Sequence, residues 1–201
     1  MLDAGVPPEL PALSLLLEPG AVRAIAVEGD ERPKLLSMLL GGRLRPTEGV
    51  VLADGSADPR VLRRGVALVA PPFASEPAPG VALRVAVAEE LGYAGRRAGR
   101  HAVERVLVEH GLADDSRTPV ELVPAAARIR LLAELALRRP GVEALVLTSP
   151  ERHGGDPAEW SPVLADIARR GIAVGVVTDR PTASLLLSHG VADARPLQES
   201  A

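Results

Sequence analysis

Short apolar runs alternate with helical stretches along most of the chain. Residues 22–27, 144–147 and 172–177 are almost unbroken apolar runs, which predict central strands buried on both faces of a sheet. Residues 34–40 and 125–139 are rich in helix formers and end at Gly41-Gly42 and Pro140-Gly141, which are helix stop signals. The alternation predicts an α/β fold with a mainly parallel sheet covered on both faces.

Turn signals divide the remaining apolar segments. Glu18-Pro19-Gly20 separates the apolar runs 13–17 and 22–27, which predicts a hairpin or two adjacent strands. The proline-rich segment 71–80 predicts a loop, because proline cannot sit inside a sheet. Residues 83–111 have helical periodicity and predict two helices.

Composition restricts the classes of function. The 201 residues are 47% apolar and 24% charged, which is typical of one soluble globular domain. A net charge of -3 provides no basic field for a nucleic-acid partner. The absence of cysteine excludes disulfides and thiolate sites. The four histidines are scattered, so we predict no metal site, and we expect neither an export signal nor a membrane-spanning helix.

One phrase after the first helix is distinctive. Gly41-Gly42 is followed by Leu44, then by Arg45-Pro46-Thr47 and Gly49. This order resembles the end of the Walker A helix in ABC transporter ATPases, where a small residue and glycine precede a phrase like L-x-P-T-x-G.

The resemblance continues in register from about residue 13 onward. Further segments resemble the strand before the Q-loop, the end of the helical subdomain, the Walker B region, the D-loop and the strand before the H-loop. In that order they are residues 66–71, 109–112, 131–150, 154–157 and 171–178. The resemblance implies a RecA-like P-loop NTPase core at about 13–80 and 130–195, with an inserted helical subdomain at about 81–129.

The expected phosphate loop lacks the residues that bind phosphate. A Walker A motif places glycines, a lysine and a hydroxyl residue around the phosphates. Here Gly29 is followed by two acidic residues, and the lysine position falls on Pro33. A slip of one residue would place Lys34 there, with Leu35 in place of the hydroxyl. We expect Lys34 to be a surface lysine.

The other nucleotide-contacting positions also depart from the family. Thr148 and Ser149 occupy the Walker B positions where carboxylates hold Mg²⁺ and polarise water. Pro71 stands at the Q-loop position and Asp179 at the H-loop position, while residues 122–126 replace the signature motif. Asp156 survives at the D-loop, where we expect a turn or helix-cap residue. We also expect the chain to begin after the first strand, which carries the adenine-stacking aromatic in the family.

These departures favour a catalytically inactive ABC ATPase-like subunit without cofactors, which docks on a membrane permease or pairs with a second ABC ATPase-like subunit, including its own copy. The alternative is a divergent but active ATPase that uses ATP and Mg²⁺ through Lys34, and a third hypothesis is a regulatory domain without a transporter. We expect a cytoplasmic protein, peripheral at the inner face of the membrane. Phe73 and Tyr93 are candidate docking residues, because aromatic side chains are favoured at interfaces; packing of the subdomain hinge is the alternative role.

Overall fold

Two four-stranded sheets carry the fold. The structure is a computed structural model that describes residues 1–69, 77–78, 80–192 and 198–199. The strands are β1 (Leu2–Val6), β2 (Leu10–Ser14), β3 (Val22–Ala26), β4 (Glu48–Val50), β5 (Val66–Val69), β6 (Ala144–Thr148), β7 (Ala173–Thr178) and β8 (Gln198–Glu199).

Seven α-helices connect and cover these strands in the described ranges. They are α1 (Arg32–Leu40), α2 (Pro59–Gly65), α3 (Leu83–Tyr93), α4 (Arg100–Glu109), α5 (Ala125–Leu137), α6 (Pro157–Ala168) and α7 (Arg180–Ser188). Two short 3₁₀ helices span Val120–Leu122 and Pro150–His153.

The central sheet is entirely parallel, in the order β3-β7-β6-β5. Every residue of β7 is buried, and helices pack on both faces of the sheet. The predicted α/β fold with a parallel sheet is therefore confirmed, and the runs 144–147 and 172–177 are interior strands as predicted.

The prediction that the run 22–27 forms a central strand is wrong for the described part of the sheet. There β3 pairs only with β7 and lies at the edge. Val22 packs on one face against the cluster around Trp160, and Ile25 packs on the other face against the cluster around Leu36. An apolar run therefore indicates that both faces of the strand are covered. It does not indicate that the strand has a hydrogen-bonded neighbour on each side.

The second sheet is antiparallel, in the order β4-β1-β2-β8, and was not predicted. The predicted pairing of the runs 13–17 and 22–27 is wrong, because β2 pairs with β1 and β8 while β3 joins the parallel sheet. The chain turns from one sheet to the other at Gly20, which has a φ of +80°. The Gly20 N–H donates a hydrogen bond to the Ile172 carbonyl.

The chain also contains a strand ahead of β2, contrary to the expectation that it begins too late for a first strand. β1 has the sequence LDAGV, whose Asp and Gly have low strand propensity. Its pairing with both β2 and β4 holds it in the sheet. No aromatic residue lies on β1.

A helical block lies between β5 and β6. α3 and α4 form an apolar cluster with one side of α5, through Leu131 and Leu135. The other side of α5 packs on the parallel sheet through Ile129 and Leu132. α5 therefore connects the block to the core.

Glu90 in this block carries a pKa that makes folding depend on pH. Burial, aided by the charge of Glu89, raises the pKa of Glu90 from 4.5 to about 7. The folded protein then binds more protons than the unfolded chain between these values, so the free energy of unfolding falls as pH rises through that window. We expect Glu90→Gln to abolish this loss, which is on the order of 3 kcal/mol.

Denaturant titrations from pH 4 to pH 8 would measure the effect. Glu89→Gln is the matched control, since it removes only the smaller cause and should retain most of the slope. Equal slopes for Glu90→Gln and the wild type would contradict the assignment.

Candidate functional site

The loop after β3 is held by contacts within the protein. The amide of Val27 donates to the carbonyl of Thr178 at 2.9 Å. The carboxylate of Glu28 accepts a 3.2 Å hydrogen bond from the backbone N–H of Arg180. Gly29 follows with φ +102°, a conformation that favours glycine. Glu28 thus occupies the N-terminus of α7, where an anion would be stabilised.

The start of α1 is closed by an ion pair. Pro33 lies buried in the first turn, where its missing N–H costs no helical hydrogen bond. The ammonium of Lys34 forms an ion pair with the carboxylate of Glu31, one turn earlier. The Arg32 Nε donates to the Glu9 carbonyl at 2.9 Å, which ties this turn to the loop between β1 and β2. Lys34 is thus half-buried rather than a freely exposed surface lysine.

A pair of buried hydroxyls joins α1 to the end of β6. Thr148 Oγ1 donates to Ser37 Oγ at 2.8 Å, and Ser37 Oγ donates to the Pro33 carbonyl at 2.9 Å. Both side chains are fully buried. Buried polar groups must be hydrogen-bonded, and these bonds give each hydroxyl a partner. Thr148 makes its bond at the position where ABC ATPases have a Walker B carboxylate.

A carboxylate lies two residues beyond the Walker B positions. Ser149 adopts a left-handed conformation, with φ 47°, and its amide bonds to the Val177 carbonyl at 2.7 Å. The chain then turns so that Glu151 accepts a 2.5 Å hydrogen bond from Thr178 Oγ1. Burial raises the pKa of Glu151, the hydrogen bond from Thr178 opposes that rise, and the nearby charge of Asp179 adds to it.

Two aspartates at the expected motif positions act as helix caps. Asp179, at the H-loop position, accepts a 2.8 Å hydrogen bond from the Thr182 amide at the start of α7. Asp156, at the D-loop position, accepts from the Ala158 amide at 2.8 Å at the start of α6. The expectation that Asp156 is a cap residue is confirmed.

The segment at the signature position is fixed to the D-loop of the same chain. Buried Arg128 donates to the carbonyls of Val120, Glu121 and His153. A side chain at Gly155 would come within 2.6 Å of the Ala125 side chain. The segment still presents Leu122, which is 69% exposed.

Most of the predicted positions converge at the carboxyl ends of the parallel strands. Gly29, Pro33 and Lys34 follow β3, Thr148 ends β6, and Ser149 and Asp179 directly follow β6 and β7. Asp156 follows the 3₁₀ turn after β6. Tyr93 lies apart, at the end of α3. Pro71 and Phe73 lie outside the described residues.

Sequence reasoning missed two members of this site. Ser37 sits inside a helix and has no motif role, and Glu151 lies outside the Walker B spacing. The only sequence signal for Glu151 was its position as an acidic residue directly after Ser149-Pro150, near the predicted Walker B strand. Glu151 therefore adds a carboxylate beside the end of β7 that the motif spacing does not predict.

Metal-ligating side chains do not converge at this site. Among the residues that the structure describes, no three or more His, Asp or Glu side chains are grouped to hold a metal ion. Within the same ranges, no helix combines the length and apolar character needed to cross a membrane.

Comparison with known proteins gives a fold match. No protein-family model and no curated protein matches the chain. The solved structure of cbiO1 from Clostridium perfringens, part of the cbiONQ ABC transporter complex, is similar, with a TM-score of 0.58 and 17% identity over 84% of this chain and 70% of that one. The ATP-binding subunit of an ABC transporter matches with a TM-score of 0.62 and 14% identity over 96% and 82% of the two chains.

A protein from Pyrococcus furiosus, described as an ABC transporter ATP-binding protein, matches with a TM-score of 0.63 and 13% identity over 89% of this chain and 90% of that one. The fold is that of ABC transporter ATP-binding subunits. At these identities the likeness concerns the fold alone.

The buried hydroxyl pair predicts a coupled loss of stability. We expect Ser37→Ala and Thr148→Val each to lower the free energy of unfolding by about 1–2 kcal/mol. The double variant should lose less than the sum, because either change alone already breaks the shared bond. Chemical denaturation of the four proteins gives the cycle.

Ser184→Ala is the matched control for Ser37→Ala. Ser184 makes the same bond to the carbonyl four residues earlier, at 2.9 Å, but it is exposed and has no threonine partner. We expect its substitution to change stability by less than about 0.5 kcal/mol. Strict additivity in the cycle would show that the hydroxyl pair carries no coupling.

Proposed function

We propose that this protein is a catalytically inactive subunit with the ABC ATPase fold, which docks on a membrane permease or pairs with a second ABC ATPase-like subunit. The observation that carries the proposal is the hydroxyl pair between Ser37 and Thr148. It occupies the end of the Walker B strand with groups that bond to each other at 2.8 Å, whereas Mg²⁺ binding there requires a carboxylate.

The charges around the strand ends also support an inactive site. Glu28, Asp30 and Glu31 lie in the loop and helix start where a triphosphate would lie, and Asp179 and Glu151 lie beside the end of the neighbouring strand β7. The negative charges of these carboxylates would repel the negative phosphates of a nucleotide. A nucleotide would have to overcome this repulsion and break the bonds that these groups already make.

Lys34 gives little support to the alternative of a divergent active ATPase. A Walker A lysine must be free to contact the terminal phosphates. Here the ammonium is paired with Glu31, and Leu35 follows it instead of a hydroxyl residue. We therefore propose that the protein needs neither ATP nor Mg²⁺ as a cofactor.

The proposed partners follow from the fold. cbiO1 is described as part of an ABC transporter complex, and we extend that kind of assembly to this chain as a proposal. A subunit of this type would lie in the cytoplasm, at the inner face of the membrane. Docking of this kind requires only the outer surface of the fold and does not require a nucleotide at the strand ends.

Titration with Mg-ATP tests the inactive site. We expect isothermal calorimetry to detect no binding, and we expect Thr148→Asp combined with Ser149→Glu to leave the protein inactive, because the phosphate loop would still be acidic. A Kd below about 1 mM, which corresponds to roughly 4 kcal/mol of binding, would overturn the proposal. ATP turnover by the wild type would do the same.

Tyr93 and Leu122 distinguish the two proposed partners. Both side chains are 69% exposed, so replacing either with alanine should leave the unfolding midpoint nearly unchanged. Tyr93 belongs to the helical block where a permease would dock, and Leu122 belongs to the signature segment that faces a second subunit in ABC dimers.

We expect Tyr93→Ala to reduce copurification with membranes, while Leu122→Ala reduces self-association or association with a second ABC ATPase-like subunit. Each variant is the control for the other. Failure of both variants to change any association, measured by membrane flotation and sedimentation velocity, would contradict the docking role.

A further inference from the structure

Three arginines from distant parts of the chain meet beside the C-terminal end of α1. The Arg43 guanidinium donates to the Gly41 carbonyl at 2.8 Å, and the Arg63 guanidinium donates to the neighbouring Gly42 carbonyl at 2.9 Å. Arg139, after α5, donates to the Val66 carbonyl of β5 at 2.8 Å. We call Arg43, Arg63 and Arg139 the arginine cluster.

The cluster is compact because it lies over one small patch of backbone. A side chain added at Gly41 would come within 2.5 Å of the Arg43 guanidinium and within 2.9 Å of the Leu68 side chain. Leu68 belongs to β5, two residues from the carbonyl that Arg139 binds. Glycine at position 41 therefore lets Arg43 lie directly beside the edge strand.

The positive charges of the cluster are not balanced within the described part of the protein. No carboxylate there forms an ion pair with Arg43, Arg63 or Arg139, although eight ion pairs elsewhere in the described ranges engage other arginines, Lys34 and His101. Partial burial, and then the charges of Arg139 and Arg63, lower the pKa of Arg43. The Nε of Arg139 is buried and has no hydrogen-bond partner in the described ranges.

Capping of backbone carbonyls explains only part of this arrangement. Each guanidinium has five N–H donors, and in each the contacts above use a single carbonyl acceptor. A neutral donor could cap these carbonyls without the repulsion between three fixed charges. An arginine retains a planar face of donors that matches the two oxygens of a carboxylate.

We propose that the arginine cluster is the binding surface for a short acidic segment of a partner protein, held by its Asp and Glu carboxylates. The inference rests on the proposed docking role and adds the chemistry of the contact. Arg43 and Arg63 are open to solvent, where a small free anion would be screened and weakly held. A protein segment that covers the cluster would exclude water and strengthen each pair.

An anionic membrane surface fits the same charges less well. The whole chain has a net charge of -3, which opposes approach to an extended negative plane. A short acidic segment covers only the cluster, so it experiences less of this net charge than an extended negative plane does. The observations therefore favour a protein partner over a lipid surface.

The experiment measures binding of a fluorescein-labelled, capped hexaglutamate peptide to the full chain by fluorescence anisotropy at low ionic strength. We expect saturable binding that weakens by about tenfold in the double variant Arg43→Gln, Arg63→Gln, because two charge-assisted contacts are lost. The control double variant Arg84→Gln, Arg117→Gln makes the same change in net charge at two exposed arginines and should bind as the wild type does. A hexalysine peptide should not bind.

Three results would overturn the proposal. They are equal peptide affinity in both double variants, no peptide binding at all, and cosedimentation with phosphatidylserine vesicles that depends on Arg43 and Arg63 while the peptide does not bind. Thermal unfolding checks that the variants fold, and Arg139→Gln provides a third variant at a separate element. If the peptide does not bind the cluster but the protein still copurifies with a permease, only this inference fails. ATP turnover would overturn the proposed function but would not change the interpretation of the peptide result.

Discussion

Strand β7 is the element on which the rest of the structure depends. Its six residues are all buried, and it is hydrogen-bonded to β3 on one side and to β6 on the other. Since parallel strands end at the same edge of a sheet, this pairing brings the loops after β3, β6 and β7 together. The bond from Val27 to the Thr178 carbonyl and the bond from Ser149 to the Val177 carbonyl extend the ladder into those loops. The positions of Glu28, Glu151 and Asp179 all follow from it.

The sequence predicts a helix or strand well when the segment's own residues determine it, and poorly when contacts with distant residues determine it. Strand β6 and helix α5 were predicted almost to the residue, because apolar runs and stop signals are local. β1 and α2 were missed: β1 contains Asp and Gly, and α2 is a short helix capped by Asp58. Their formation depends on tertiary contacts, such as the fully buried Ala4 and the buried Leu62.

The candidate site was predictable in position and less so in its contacts. The resemblance located Thr148, Ser149 and Asp179, but it gave no reason to examine Ser37, which lies 111 residues from its partner. Glu151 reaches the site only because Ser149 adopts a left-handed conformation with φ 47°. For a non-glycine residue that conformation is uncommon and depends on its surroundings, so no spacing rule could have placed the carboxylate.

Helix α1 links the two charged regions of the molecule. A helix carries a partial positive charge at its N-terminus and a partial negative charge at its C-terminus. In a phosphate-binding loop the N-terminal charge is left for the ligand, but here Glu31 occupies the N-cap position and Glu28 and Asp30 precede it. Arg43 and Arg63 lie against the carbonyls that follow the C-terminus. The protein's own side chains thus complement both ends of the helix dipole. An incoming phosphate would meet negative charge at the N-terminal end of α1. An incoming carboxylate would meet unbalanced arginines at the C-terminal end. An anionic partner is therefore better sought at the arginine cluster than at the strand ends.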